Sequence, residues 1–351
     1  MKSERIAHID VAKGISILLV VLLHTEIKEL WIEIFDYMGL VRLPLFFILS
    51  GVFYKYNKFT HVLSRKSGSL LKPYFFTLLS VSFIAIVLNG DKELWQLKGV
   101  LYGTGVLLPR MWYQNWYLPH LWLVFISATI LLKVIHIDKN EKIKGIIISI
   151  MLMFLGYNLF NSLWNVDLQI FNKSITIPGL PFNADVIFSS LGLFLLGFIL
   201  KDAIKNHIPN AALTLVFLIV FVFCVSMGAK ASIYSREVQL PLLVVFGSLS
   251  GVYLIITMSF YIAKYTNYIK KSFIYLGQSS LIILIFHVFY YMISKSILDS
   301  LFPNANNVSI IIASVTCIYA SLLTKKLVDN NDLLSFFYYV NDSKSSHVNK
   351  I

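Results

Sequence analysis

Apolar runs about long enough to cross a hydrocarbon layer as helices recur along this chain with little between them. They lie near 10–25, 39–54, 72–88, 116–135, 143–160, 184–200, 209–226, 239–262, 275–297 and 308–327. A bilayer core of about 30 Å takes roughly 20 helical residues. Inside it, only helices and closed barrels satisfy every backbone polar group. Of 351 residues, 57% are hydrophobic and 14% charged, and the mean hydropathy is +0.74, too apolar for a water-soluble domain of this size. The expected fold is all-α: a polytopic membrane helical bundle of about ten transmembrane helices.

The formal charge of +12 raises the question of a nucleic-acid partner, and its distribution answers against one. With the N-terminus inside, Lys2, Arg5 and Lys13, then Lys55, Lys58, Arg65, Lys66 and Lys72, then Lys133, Lys139, Lys142 and Lys144 are cytoplasmic. Later inner segments add Lys201, Lys205, Lys264, Lys270, Lys271, Lys325, Lys326, Lys344 and Lys350. This is the positive-inside bias. An even number of spans then puts both termini in the cytoplasm. The first span carries no small-residue cleavage site after His24, so it is expected to remain on the protein. Cys224 and Cys317 both fall within expected spans, which suits two small core residues and gives neither a disulfide framework nor metal-ligand spacing.

No internal repeat or soluble domain interrupts the pattern. One membrane domain is expected over 1–328, and a polar cytoplasmic tail over 329–351 whose end, "NDSKSSHVNKI", has the composition of a dispensable segment. The longer outer connections carry Trp95, Trp112, Trp116 and Trp164, the residues of an aromatic belt at a lipid–water boundary.

Ionisable residues inside spans are costly and usually face a bundle interior or a water-filled cavity. In "HIDVAKGISILLVVLLHT", Lys13 and His24 are eleven residues apart, which sets them within about 20° on one helix face and roughly 16 Å apart along the axis. Asp10 lies three residues before Lys13. Two readings compete for Asp10 and Lys13: an ion pair marking the inner interface, or the inner end of a polar stripe leading to His24. A second stripe lies in "GQSSLIILIFHVFYYMISKS", where Ser280, His287 and Ser294 share a face; interhelical hydrogen bonding is its plain alternative. For His120, in "NWYLPHLW", a structural role is the stronger reading. The inner connection concentrates Lys55, Lys58, Arg65, Lys66 and Lys72 within eighteen residues. Such a cluster suits topology, and it also suits the phosphates of a nucleotide-bearing donor.

In this order, these segments resemble the integral-membrane acyltransferase type 3 family, and within it the group that includes fucose 4-O-acetylases. "HIDVAKGISILLVVLLHT" is similar to the family's first-helix motif of Asp, a basic residue, Gly and a later His. "RLPLFFILSGVFY" is similar to its second helix, with Pro44, Phe46, Phe47, Ser50 and Gly51 matching. "NWYLPHLW" and "LGQSSLIILIFH" resemble two later segments. There are two departures. Lys13 stands where the family often has Arg, and the paired arginines before the third helix are represented by Ser69 and Lys72, with Arg65 and Lys66 slightly earlier.

The resemblance implies a membrane O-acyltransferase, in the first instance an O-acetyltransferase. It would move the acyl group of a cytoplasmic acyl-CoA, a co-substrate and not a resident cofactor, to a hydroxyl of a cell-surface or lipid-linked carbohydrate. A bacterial-type cytoplasmic (inner) membrane is the expected location. The partners implied are acyl-CoA, the carbohydrate acceptor and membrane lipids, with no metal. His24 is the expected catalytic residue, as general base or as acyl carrier. Lys13, Arg65, Lys66 and Lys72 are expected to bind the donor; Asp10, Ser50, Asn115, Trp116 and His287 are expected to contact substrate, Asp10 at the donor end or in local structure and the other four lining the passage. A transporter or flippase for a polysaccharide precursor is the competing reading. It would favour broken helices in matching halves, and that pattern is absent.

Overall fold

A computed structural model describes residues 6–90, 95–135, 141–160, 162, 164–170, 173–303 and 306–340. Lys2, Arg5, Lys139, Lys344 and Lys350 of the charge argument lie outside these, as does the segment from 341 onward. The bundle is built from α1 (Ala7–Leu23), α2 (Arg42–Val52), α3 (Lys72–Asn89), α4 (Tyr117–Ile135), α5 (Lys142–Asn158), α6 (Ile187–Ile199), α7 (Ala211–Ser226), α8 (Pro241–Tyr265), α9 (Asn267–Gln278), α10 (Ser280–Leu301), α11 (Asn306–Asn330) and α12 (Asp332–Tyr338). Each of the ten apolar segments coincides with a helix. Seven described helices, counted with their flanking turns, are long and apolar enough to cross a membrane: Ile34–Val52, Phe59–Leu88, Tyr113–Ile135, Pro181–Ile199, Pro241–Tyr265, Ser280–Leu301 and Asn306–Asn330. At 16 and 17 residues, α7, α1 and α5 fall just short.

Helix starts follow proline chemistry. Pro44, Pro73, Pro119 and Pro241 all lie in first turns, where the missing N–H has no intrahelical partner to lose. The outward faces are apolar: Phe83 is 67% exposed and Ile143 75%, a surface that water would not tolerate over so many helices. Inside, small polar residues fill the seams. Ser149, Ser259, Ser314 and Ser321 are buried and donate to the carbonyls four residues earlier, at 2.7–2.8 Å.

Helix α1 is central, packed against α2, α8, α9 and α10. Two close approaches lock it and its neighbour in place. A Cβ at Gly14 would lie 2.1 Å from the Phe273 carbonyl oxygen of α9, and one at Gly277 would lie 2.3 Å from that of Asp10. Between α2 and α6 the same arrangement recurs: 1.9 Å from Gly51 to the Phe194 oxygen and 2.0 Å from Gly197 to that of Ile48. Two antiparallel hairpins, β1 (Val166–Ile170) with β2 (Lys173–Ile177) and β3 (Lys230–Ser232) with β4 (Glu237–Gln239), are the sheet found among the described residues.

Two expectations need correction. The chain beyond 328 does not begin as a polar tail: α11 runs on to Asn330 and α12 packs back on the bundle. Phe337 stacks on Phe76 at 4.0 Å between centroids, and buried Tyr338 pairs its hydroxyl with Thr77 at 2.9 Å. Sequence polarity missed this because the apolar group "LLSFFYY" is too short to read as a span. Phe337→Ala is expected to lower stability by about 3 kcal/mol, measurable as a lowered melting temperature in detergent. Trp112 and Trp116 are not belt residues either. At 5% and 4% exposure they are buried, because the 113–116 turn that carries Trp116 inserts beside α10. The Trp95 side chain lies outside the described residues, and Trp164 is half-buried against Arg236.

Candidate active site

Helix α1 ends at His24, whose backbone N–H still bonds to Val21 at 2.9 Å. Past it the chain is tied down. Thr25 Oγ1 donates to the Leu22 carbonyl at 2.9 Å, and the Glu26 N–H donates to the Tyr291 hydroxyl of α10 at 2.9 Å. The imidazole therefore projects from a fixed helix end. Its Nδ1 lies 2.6 Å from Tyr113 Oη, and its ring centroid is 5.2 Å from that of His287.

His287 is fully buried. Its Nδ1 sits 2.7 and 3.0 Å from the carbonyls of Ile283 and Leu284. Carbonyls only accept, so Nδ1 carries the proton and Nε2 presents a lone pair. That Nε2 has no partner among the described residues. The two polar stripes of the sequence thus meet, one ring beside the other.

Other buried atoms that have no hydrogen-bond partner among the described residues gather here: Arg42 Nη1, Gln114 Oε1 and Asn115 Oδ1. Buried polar groups in native proteins are nearly always bonded, so this concentration marks a place built to meet something else. Arg42, His24, Lys28, Tyr113, Gln114, Trp116 and Tyr117 line a cavity of about 210 Å³, together with Ser232 and Tyr234. A larger opening of about 680 Å³ reaches His24 past Glu26, Arg110, Tyr291 and Lys295. Toward the opposite end of α1, a cavity of about 290 Å³ is walled by Lys13, Ser50, Lys66 and Ser280. It shares Phe46, Tyr117 and Leu284 with the His24 cavity. A further pocket of about 300 Å³ adjoins it, lined by Lys55, His61, Arg65 and Lys66.

The expected site residues divide accordingly. Lys13 and Lys66 face the same cavity, each ammonium over an aromatic face, 3.8 Å from the Phe53 centroid and 3.5 Å from that of Phe125. Asp10 pairs with Lys13 at 3.9 Å. Ser50 lines the same cavity while donating to the Phe46 carbonyl at 2.8 Å. Trp116 and His287 are at His24. Asn115 is buried behind them, its amide donating to the Trp112 carbonyl at 3.1 Å. Lys72 is elsewhere: its ammonium donates to the carbonyls of Phe336 and Tyr339, at 2.9 Å for the latter, capping α12. His120 is the structural residue expected, bonded to Ser190 at 2.8 Å and the Phe182 carbonyl at 3.0 Å.

Sequence reasoning missed Arg42, Tyr113, Gln114 and Tyr234. For Arg42 there was a signal: one arginine at the head of an apolar helix. Tyr234 had none, since it reaches the cavity on the β3–β4 hairpin. That hairpin is held by a fully buried ion pair, Arg236 Nε to Asp185 Oδ2 at 2.9 Å. Arg236 also bonds Asn183 Oδ1 at 2.5 Å and lies 4.0 Å over the Trp164 ring. Burial raises the pKa of the Tyr234 phenol, against a smaller opposing pull from Arg236, so it stays a hydroxyl at neutral pH. Asp185→Ala leaves Arg236 charged and buried, and is expected to destabilise the protein by about 3–5 kcal/mol, with a falling melting temperature as the readout.

Among the described residues, no three His, Cys, Asp or Glu side chains converge as metal ligands. Compared with known families, residues 6–325 match a model described as an acyltransferase domain. No curated protein and no solved structure matches the chain. The match spans nearly the whole chain, from the residue before α1 to the last turns of α11, and so the protein belongs to the acyltransferase 3 family of membrane acyltransferases.

Proposed function

We propose that the protein is an integral-membrane O-acetyltransferase of the fucose 4-O-acetylase-like kind, with all ten apolar helices crossing a bacterial-type inner membrane and both termini cytoplasmic. It moves acetyl from cytoplasmic acetyl-CoA to a hydroxyl of a cell-surface or lipid-linked carbohydrate. One observation carries this reading: His24 stands where openings at one end of α1 share the wall residues Phe46, Tyr117 and Leu284 with a lysine-lined cavity at the other. A reaction between a donor confined to one side and an acceptor on the other needs its base at such a junction.

The donor's phosphates meet Lys55, Arg65 and Lys66, and its extended arm runs past Lys13 toward Tyr117. Lys72, spent on α12, is left out of this set. The acceptor hydroxyl enters beside Tyr113. With Nδ1 donating to Tyr113 Oη, His24 Nε2 carries the lone pair and takes the hydroxyl proton as the oxygen attacks the thioester carbonyl. The tetrahedral oxyanion collapses, the C–S bond breaks, and the proton leaves with the thiolate as CoA thiol. The alternative sequence first puts the acyl group on Nε2 and then passes it to the acceptor.

Sealed vesicles of both orientations, given acetyl-labelled CoA from outside, test the arrangement. Base-labile label is expected on envelope carbohydrate in inverted vesicles and not in right-side-out ones. Labelling of right-side-out vesicles alone would reverse the topology. Failure in both, with a competent acceptor present, would favour transport.

A further inference from the structure

Arg42 is 6% exposed, yet its guanidinium makes no hydrogen bond and no ion pair among the described residues, and Nη1 is wholly enclosed. Asp36 is the carboxylate whose charge reaches it, and Asp36 is itself engaged by Lys230 at 2.8 Å. A buried cation without an anion is among the most expensive arrangements a protein can hold. The cavity it lines has a one-sided composition. Arg42 and Lys28 are there with the hydroxyls of Tyr113, Ser232 and Tyr234, and no Asp or Glu is in its wall. Arg42 and Lys28 also border the adjoining cavity of about 460 Å³, whose carboxylates, Glu29, Asp36 and Glu237, are accompanied by Lys230; the wall free of carboxylates is the one Arg42 shares with His24. Five N–H donors in a planar fork match a carboxylate or a phosphate. Gln114 Oε1, unpartnered in the same wall, is an acceptor suited to a neighbouring sugar hydroxyl.

From this we infer that the cavity beside His24 is an anion subsite, in which Arg42, with Lys28 at the rim, holds a carboxylate or phosphate carried by the reacting molecule. This deepens the acyltransfer reading and rests on it. The anion has two sources: an acidic sugar or sugar phosphate on the acceptor, or the free carboxylate of a dicarboxylic acyl donor. Arg42 acts as a binding residue and takes no proton.

The test uses the purified full chain in detergent and follows Trp116 fluorescence during titration with glucuronate, glucose 1-phosphate, succinate and, as a neutral control, glucose. The wild type is expected to bind at least one anion, with affinity falling on the order of 30-fold or more in Arg42→Gln and glucose unaffected. Arg42→Lys should lose less, and Lys28→Gln, at an exposed position, should lose a few-fold while its fold is not at risk. Preference for the sugar anions assigns the site to the acceptor; preference for succinate assigns it to the donor. Equal binding by wild type and Arg42→Gln, or no anion binding at all, overturns the inference. In a transfer assay, a lowered kcat with both KM values unchanged would instead make Arg42 a transition-state stabiliser and overturn it as well. An anion site without any acyl transfer in the wild type would retain the subsite and remove the enzyme reading. Transfer that ignores Arg42 would do the reverse.

Discussion

His24→Ala is expected to bring acetyl transfer down by about three orders of magnitude or more, to the background of membranes lacking the protein. A positioned general base contributes roughly 10²–10⁴-fold, and a residue that also carries the acyl group contributes more because its loss removes the route. The position is already fixed by α1, by the Thr25 and Glu26 anchors and by Tyr113, so the variant should fold as the wild type does, with an unchanged melting temperature. Wild-type rates in His24→Ala would remove imidazole from the chemistry. Tyr113→Phe separates two functions of the pair. It keeps the ring beside His24 but removes the hydroxyl that pairs with Nδ1 at 2.6 Å, and the expected loss is about tenfold, mostly in kcat. Labelled protein accumulating from acetyl-CoA without acceptor, in the wild type and not in His24→Ala, would assign the acyl-carrier path.

Gly51→Val is expected to abolish folded protein, read as loss of the monodisperse peak on size exclusion in detergent. The atom that a Cβ would strike at 1.9 Å is a main-chain oxygen of α6, which cannot rotate away. The reciprocal approach at Gly197 prevents the helices from shifting along one another. Overpacking against side chains costs about 1–3 kcal/mol, and against a helix backbone the result lies beyond that range. Gly14→Val should behave alike, since it parts α1 from α9 and with it moves His24. Gly68→Ala is the control: the nearest atom there is a side-chain carbon of Val340 at 3.6 Å, and folding should be untouched. Normal yields of Gly51→Val would mean that α2 and α6 are not packed this closely.

The helices were legible because hydrocarbon thickness leaves few options: a run such as 239–262 can be little other than a helix. His24 and His287 were legible for the same reason, since an ionisable side chain within such a run must have somewhere to face. What spacing could not supply was the third dimension. Tyr113 reaches His24 across 89 positions, and Tyr234 arrives on a hairpin whose strands are three residues each. Neither has a local signature. Lys72 illustrates the opposite error. In a line of basic residues it looks like its neighbours, and only the fold of α12 distinguishes a cation that caps carbonyls from Lys66, which faces a cavity.

Phe46, Tyr117 and Leu284, the wall common to the cavities at the two ends of α1, have, on the proposed topology, a bearing on the energy supply of the cell. If these cavities open to opposite faces of an energised membrane, as the proposed topology has it, they stand one breach short of a conductance, and a single elementary charge falling through 100 mV releases about 2.3 kcal/mol. Three side chains without an ionisable group at neutral pH form a poor relay for protons or metal ions. An acyl group, uncharged and small, needs only the space of a side-chain rotation to pass. On the topology proposed above, the residues between the two cavities would also insulate the gradient, and reducing Phe46 and Leu284 together to alanine is expected to show first as proton leakage across vesicles holding the protein.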